Sequence, residues 1–447
     1  MTTKQSSSSG KQFLGLPIIL MWGYLAIAIF MTGDGIEQAF LSSYLIEIGF
    51  SQGDAAMVFT VYGLIVAIAS WFSGVFAEMI GPRNAMKWGA VIWLAFHVLF
   101  MIFGIEQENL AMITLLYGIR GIGYPLFIYS FIVWIAQVAP SHRLASAMGW
   151  FWAMYSVGVG FIGTYLPSFT IPVLGFVGTL WMATAWVAVA GFMGLFLIKD
   201  KTSSTKRAVS SRQEKIRELA RGVTILAENR NVAIACVVRS INQLALFGFV
   251  VFMPVFFTHQ LGFSMSEWLR IWGAVFITTI FTNVLWGVVG DKIGWLRLVR
   301  WFGAVGCAIS CLAFYYLPLY FGHNFGIALV AAIMLGTSIA AFVPMSALFP
   351  SLAPEHKGAA ISAHNLAAGL SNFFGPAIAL MVLPYGGPAG VIWTYTVLYL
   401  IAAVLTCYIE LDEGELKRSS RAALAAEREA QRDRKPSRTP AYASSKS

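Results

Sequence analysis

Residues 74–81 read GVFAEMIG, and residues 287–294 read GVVGDKIG, 213 positions further on. Two other pairs keep that spacing. IGFS at 48–51 returns as LGFS at 261–264, offset by 213, and APSHRLASA at 139–147 returns as APEHKGAAI at 353–361, offset by 214. One short match is chance. Three at one offset, each in an equivalent loop, mean that the chain consists of two duplicated halves.

The segments between the matches are oily. Of 447 residues, 58% are hydrophobic and 11% charged, with a mean hydropathy of +0.72, whereas a water-soluble domain carries about 25% charged residues. Apolar spans long enough to cross a bilayer are centred near residues 30, 66, 95, 122, 155, 188, 245, 278, 308, 335, 370 and 398, each offering the roughly 20 residues that a crossing helix needs. The expected fold is therefore all-α and integral to the membrane, with twelve transmembrane helices in two six-helix pseudo-symmetric halves.

The short loops sort by charge. One set carries Arg83 and Lys87, His142 and Arg143, Lys292, Arg297 and Arg300, and Lys357. The other set, EIGFSQGD, GIEQEN, PSFTIPVLG, HNFG and PYGGPAG, holds no Lys or Arg. The basic side is expected to be the cytoplasm and to hold both termini. The divisions are a cytoplasmic N-terminus (1–13), a first six-helix half (14–198), a cytoplasmic middle loop (199–230), a second half (231–410) and a partly disordered tail (411–447). From Arg212 the middle loop repeats Ile216, Leu219, Ala220 and Val223 at helical spacing among charges, as a helix lying on the membrane surface would. The polar N-terminus precedes a span too long for a signal peptide's apolar core, so no cleaved signal is expected.

The net charge of +9 is spread over these loops and the tail. It forms no continuous nucleic-acid-binding face, and no nucleic-acid partner is expected. Neither a Walker A sequence nor the HExxH or GxSxG pattern occurs, so ATP drive, enzymatic activity, a cofactor and a bound metal are not expected. Cys236, Cys307, Cys311 and Cys407 lie within apolar spans and read as packing residues.

GVFAEMIGPR resembles the loop signature of the major facilitator superfamily, G-x-x-x-D-R-x-G-R-R/K. Gly74, Glu78, Gly81 and Arg83 fit it, while Met79 and Pro82 replace basic residues; the second copy supplies Gly287, Asp291, Lys292 and Gly294. The glycines suit a tight turn and close helix approach. The resemblance gives these residues a gating role at the cytoplasmic side. A closer resemblance covers about residues 12–410. GLPIILMWGYLAIAIFMTGDGIEQAFLS, YGIRGIGYPLFIYSFIVW, GWFWAMYSVGVG, LPSFTIP and TTIFTNVLWGVVGDKIGW are similar to the polyol permeases of bacteria, the transporters of ribitol and D-arabinitol. That resemblance implies a monomer in the inner membrane, taking up a sugar alcohol together with a proton. A facilitator, or a proton-coupled carrier of another small solute such as a sugar, sugar acid or drug, is the alternative.

Charges inside the spans then matter most, since each is costly in hydrocarbon unless paired or facing a cavity. Counted from Glu47, Glu37 is about 15 Å deep and Asp34 about 20 Å; counted from Asn109, Arg120 is about 16 Å deep. In the superfamily fold the first and fourth helices line the cavity, so an Asp34/Glu37–Arg120 network is expected. The reading favours Glu37 as the partner of Arg120 and Asp34 as the proton carrier, with hydroxyl binding open to both. A static salt bridge that only sets helix register is the alternative.

Asn242 and Gln243 on the seventh span, Asn283 on the eighth, and Asn365 and Asn372 on the eleventh are candidate solute ligands, since an amide both donates to and accepts from hydroxyls; as an alternative they bind helix to helix. Arg239, nearer the cytoplasmic end of the seventh span, is a further candidate that can as easily snorkel or pair with a gate acid, and His364 on the eleventh is a candidate that can sense protons or be structural. Tyr124, Trp152 and Tyr155 can stack on a polyol or simply pack. His97, on the third span, reads as structural, and GVGFIG at 158–163 as close helix packing.

Overall fold

The computed structural model describes residues 19–138, 144–197 and 223–411, with short pieces at 12–13, 16–17, 217 and 220. His142 and Arg143, most of the middle loop and the tail from residue 412 lie outside the described residues. Of the expected surface helix, residues 217, 220 and 223–228 are described and helical. The chain through Ile409 forms one compact unit.

Nine apolar helical stretches of the described residues are long enough to cross a membrane. Two of them, Trp150–Phe196 and Ala359–Tyr408, are hairpins that reverse at Gly175 (φ 70°) and Gly387 (φ 57°). Counting those two double and adding the shorter opening helix Leu20–Gly35 gives twelve crossings. A bilayer satisfies no backbone polar group, so helices are what such a chain must form.

The duplication is written into the backbone. Gly49 and Gly262, Gly81 and Gly294, Glu108 and Gly322, and Gly175 and Gly387 all have positive φ, and each pair is 212 to 214 residues apart. Every described residue with positive φ belongs to one of these pairs. Equivalent caps repeat as well: Ser51 with Asp54 and Ser264 with Glu267 each form a reciprocal box that satisfies the first amides of a long helix.

Four crossings are broken, and they are equivalent ones. The first runs Ile19–Gly35, turns through residues 36–40 and resumes as Leu41–Glu47. The fourth breaks at residues 121–122, between Leu110–Arg120 and Gly123–Val138. The seventh breaks at Gln243 and the tenth at residues 341–344. Gly33 and Gly35 lie just ahead of the first break. A Cβ on Gly33 would stand 2.6 Å from Val187 Cγ2, and one on Gly35 would stand 2.8 Å from the Val159 carbonyl oxygen. These glycines thus let the fifth and sixth crossings close on the backbone that presents Asp34. Gly158 of the GVGFIG stretch does the same from the other side, 2.4 Å (Cβ to oxygen) from the Ala28 carbonyl.

The halves meet along two helix pairs. The second crossing, Gln52–Ile80, packs on the eleventh, where a Cβ on Gly63 would fall 2.0 Å from the Asn372 carbonyl oxygen. The fifth packs on the eighth, Met265–Ile293, with Gly160 against Phe276 and Gly273 against Tyr165. Among the described residues three hydrogen bonds also join the halves: Ser42 Oγ donates to Val250 O (2.5 Å), Trp268 Nε1 to Ala39 O (2.7 Å) and Ser266 Oγ to Ser168 O (2.8 Å). All three lie toward the end of the molecule that carries the 48–51 and 261–264 loops.

The loop glycines divide into two kinds. Gly81 and Gly294 take φ of 93° and 100° and make the turn that the signature suggests. A Cβ on Gly74 or Gly287 would meet nothing within 4 Å, so the close approach expected there is not made in this conformation. Arg83 donates to the Leu195 carbonyl, tying the loop to the sixth crossing. The side chains of Glu78 and Asp291 lie outside the described residues.

Gly63→Ala is expected to destabilise the protein by about 1–3 kcal/mol through overpacking. Gly74→Ala should leave stability unchanged or raise it by up to about 1 kcal/mol, as Ala for Gly does within a helix. Thermal melts of the purified variants in detergent check both.

Candidate solute and proton site

The break in the first crossing sets the site. Asp34 lies at the end of the opening helix, and Glu37 lies in the irregular turn where the Gln38, Phe40 and Leu41 amides reach back to carbonyls three or four residues earlier. Both side chains point inward, 1% and 0% exposed. Arg120, also 0% exposed, ends the first part of the fourth crossing and donates from Nη2 to Glu37 Oε1. Its Nη1 meets His97 Nδ1 at 2.8 Å. Arginine has only donors, so Nδ1 accepts; His97 carries its proton on Nε2 and donates it to the Leu180 carbonyl at 3.1 Å. One chain of polar contacts thus ties the first, third, fourth and sixth crossings together.

Aromatic rings close the rest of the guanidinium. Tyr117, Trp93 and Tyr62 lie with ring centroids 4.4, 4.7 and 5.9 Å from Arg120 Cζ, each in cation–π range. His97 stacks on Trp93 at 4.5 Å.

Asp34 is held differently. It accepts from Trp93 Nε1 at 2.7 Å and from Gln38 Nε2 at 3.4 Å, and it makes no direct bond to Arg120. Gln38 borders a small cavity between the halves, together with Tyr62, Tyr117, Phe247, Val250 and Asn372. Asp34 is therefore linked to the cavity through Gln38. Glu37 Oε2 and the Tyr117 hydroxyl are buried without a hydrogen-bond partner.

A second polar group is built on the seventh and eleventh crossings. Arg239 donates from Nε to His364 Nε2 at 3.2 Å and from Nη1 to Asn242 Oδ1 at 2.9 Å. His364 Nδ1 in turn faces Asn365 Oδ1 at 3.3 Å. Across from it, the Tyr124 and Tyr155 hydroxyls meet at 3.0 Å, with the Trp152 ring 5.5 Å from Tyr155. Arg239 is close enough to Tyr124 and Tyr129 to interact with both.

The remaining candidates are scattered. Asn372 lines the small cavity and reaches only its own helix, at Ala368 O (3.5 Å). Gln243 is half-buried at the break of the seventh crossing. Asn283 is half-buried between exposed Phe281 and Val284, on a face turned outward, and is not brought to either polar group.

Four residues of the site are not among the site candidates of the sequence reading. His97 is taken there as structural, and it lies against Arg120. A depth count from Glu106 puts it about 14 Å in, level with the arginine, and that signal was available. Trp93, Tyr62 and Tyr117 carried none, because aromatic residues in an apolar span look like packing until the fold brings a charge to them.

The family model described as Major Facilitator Superfamily matches residues 23–346 and, again, residues 235–440. The D-arabinitol transporter of Klebsiella pneumoniae is 52% identical over 407 residues, covering 91% of this chain and 96% of that protein. The ribitol transporter of the same organism is 53% identical over 407 residues, covering 91% and 95%. Among solved structures, a point mutant of the nucleoside transporter NupG superposes with a TM-score of 0.70 at 12% identity, over 88% of this chain and 99% of that one. It supports the fold alone.

Arg120→Gln is expected to cost about 3–5 kcal/mol, because it leaves Glu37 buried and unpaired. Adding Glu37→Gln should recover at least half of the loss. Thermal melts of the three proteins decide the matter: a double variant no better than Arg120→Gln alone would deny the pair its structural weight.

Proposed function

The chain belongs to the major facilitator superfamily and is a multi-pass membrane transporter rather than an enzyme; on that premise we propose that it takes up a small sugar alcohol, a pentitol such as ribitol or D-arabinitol, by proton symport. The observation that carries the coupling is the position of Asp34. It is a buried carboxylate with no cation bonded to it, and its bond from Gln38 links it to a side chain that lines the cavity at the interface of the halves. Glu37, by contrast, is engaged by Arg120. A proton taken by Asp34 removes the charge from that position, which eases the passage of the cavity through a closed, water-poor state.

The substrate class rests on the two relatives, each more than half identical over nine-tenths of the chain. The chemistry of the interface suits it. Gln38, Asn242, Gln243 and Asn372 offer amides that donate and accept, the Tyr124–Tyr155 pair offers hydroxyls, and Trp152, 47% exposed, offers a ring face for the C–H side of a polyol. Specificity among isomers then follows from which hydroxyl each amide meets.

In the proposed cycle the halves rock about this site. The three bonds at Ser42, Trp268 and Ser266 form the gate on the outer side, and the loops around Glu78, Arg83, Asp291 and Lys292 form the cytoplasmic gate. On this reading both termini lie in the cytoplasm of a bacterial inner membrane, a reading supported by the basic loops, and one chain holds the whole site, so a monomer suffices.

Asp34→Asn fixes that position in a neutral state. It should abolish accumulation of labelled pentitol in proteoliposomes under an imposed pH gradient while sparing counterflow exchange. Retained accumulation would exclude Asp34 as the coupling group.

A further inference from the structure

The coupling proposal leaves Arg239 without a task. Nine residues beyond Arg230, it stands about 14 Å along the seventh crossing, near mid-depth in a hydrocarbon core roughly 30 Å thick. A guanidinium there stays protonated and needs an opposing charge or a water-filled space. Among the described residues no carboxylate pairs with it. Its two acceptors, His364 Nε2 and Asn242 Oδ1, are neutral, since His364 takes the Arg239 hydrogen bond at Nε2 and has Asn365 Oδ1 as the acceptor for its Nδ1 proton. Arg120 shows how a buried arginine's charge is met in this chain, with a carboxylate on one nitrogen and a histidine on another. Arg239 lacks the first.

We infer that Arg239 is an anion subsite of the solute cavity, and that the transporter binds a small polyhydroxylated monocarboxylate, the acid counterpart of a sugar alcohol. Two of the five guanidinium donors are already fixed by His364 and Asn242, which orients the fork. Among the described residues Nη2 and the Asn242 amide nitrogen have no hydrogen-bond partner, and neither is among the atoms buried without one, so both are free to donate. A carboxylate accepts such paired donors well. The hydroxyls of the same solute would face Tyr124, Tyr129 and Tyr155, which stand across the interface from Arg239.

Charge balance points the same way. The mid-span ions are Asp34 and Glu37 against Arg120 and Arg239, which sum to zero in the empty carrier. When Asp34 takes a proton (the single step that rests on the reading above), one positive charge is left over, and a monoanion cancels it.

The test is binding of a five-carbon aldonate, D-arabinonate, to the purified protein, read as the rise in melting temperature with ligand concentration. The wild type should be stabilised by the aldonate and bind its uncharged amide at least about tenfold more weakly, the size expected for losing a charge-assisted contact. Arg239→Gln should lose the aldonate response by a similar factor, and Arg239→Lys, which keeps the charge, should retain part of it. No aldonate response in the wild type, or equal binding of the aldonate and its amide, would overturn the inference. So would an undiminished response in Arg239→Gln. The wild-type comparison needs no variant, so it decides even if Arg239→Gln fails to fold. Pentitols in the same panel test the polyol reading separately, because they carry no charge for Arg239 to meet.

Discussion

A guanidinium sealed from water has to be answered by a carboxylate, and much of the first half is arranged around that constraint. Arg120 is fully buried at the break of the fourth crossing, and Glu37 reaches it only because the first crossing unwinds at residues 36–40. His97 supplies the second acceptor and passes its own proton to Leu180, so the sixth crossing is fixed by the same charge. Three aromatic rings fill the remaining space. Buried ion pairs contribute little net stability against a well-packed apolar core, yet breaking one is costly. Such a pair is better suited to holding four helices in register than to adding stability, and it leaves the neighbouring carboxylate, Asp34, to other work.

The duplication makes the asymmetry plain. Backbone devices recur at one offset, from the positive-φ turns to the capping boxes. The chemistry does not. Moved by 213 positions, Asp34 falls on Phe247 and Glu37 on Val250. Where the first half buries an ion network, the second stacks Phe249 on Phe314 and packs Trp272 against both. Its charge appears elsewhere, on Arg239. Two copies of one scaffold thus carry different loads: one a carboxylate with no cation bonded to it, the other a cation with no carboxylate.

How far the sequence could be read follows from what kind of physics sets each feature. The twelve spans and the two halves were legible because bilayer thickness dictates span length, and because turns such as Gly81 and Gly294 fall in matching loops. The meeting of Glu37 with Arg120 was legible from depth along two helices. The place of His97 beside Arg120 was legible on the same grounds, from its depth on the third crossing, although the residue reads simply as structural. The Trp93 bond to Asp34 was not legible, since a hydrogen bond between residues 59 apart depends on helix rotation. Nor was the open space at Gly74 and Gly287, where a glycine that suggests close packing meets nothing.

The central claim is that solute and proton move together through Asp34. The most direct measurement is proton flux in proteoliposomes with no imposed pH gradient, read by an internal pH-sensitive dye as a pentitol gradient is applied. Coupled entry predicts acidification of the lumen as the polyol enters, in proportion to its flux. Entry of labelled polyol at full rate with no change in internal pH would contradict the account.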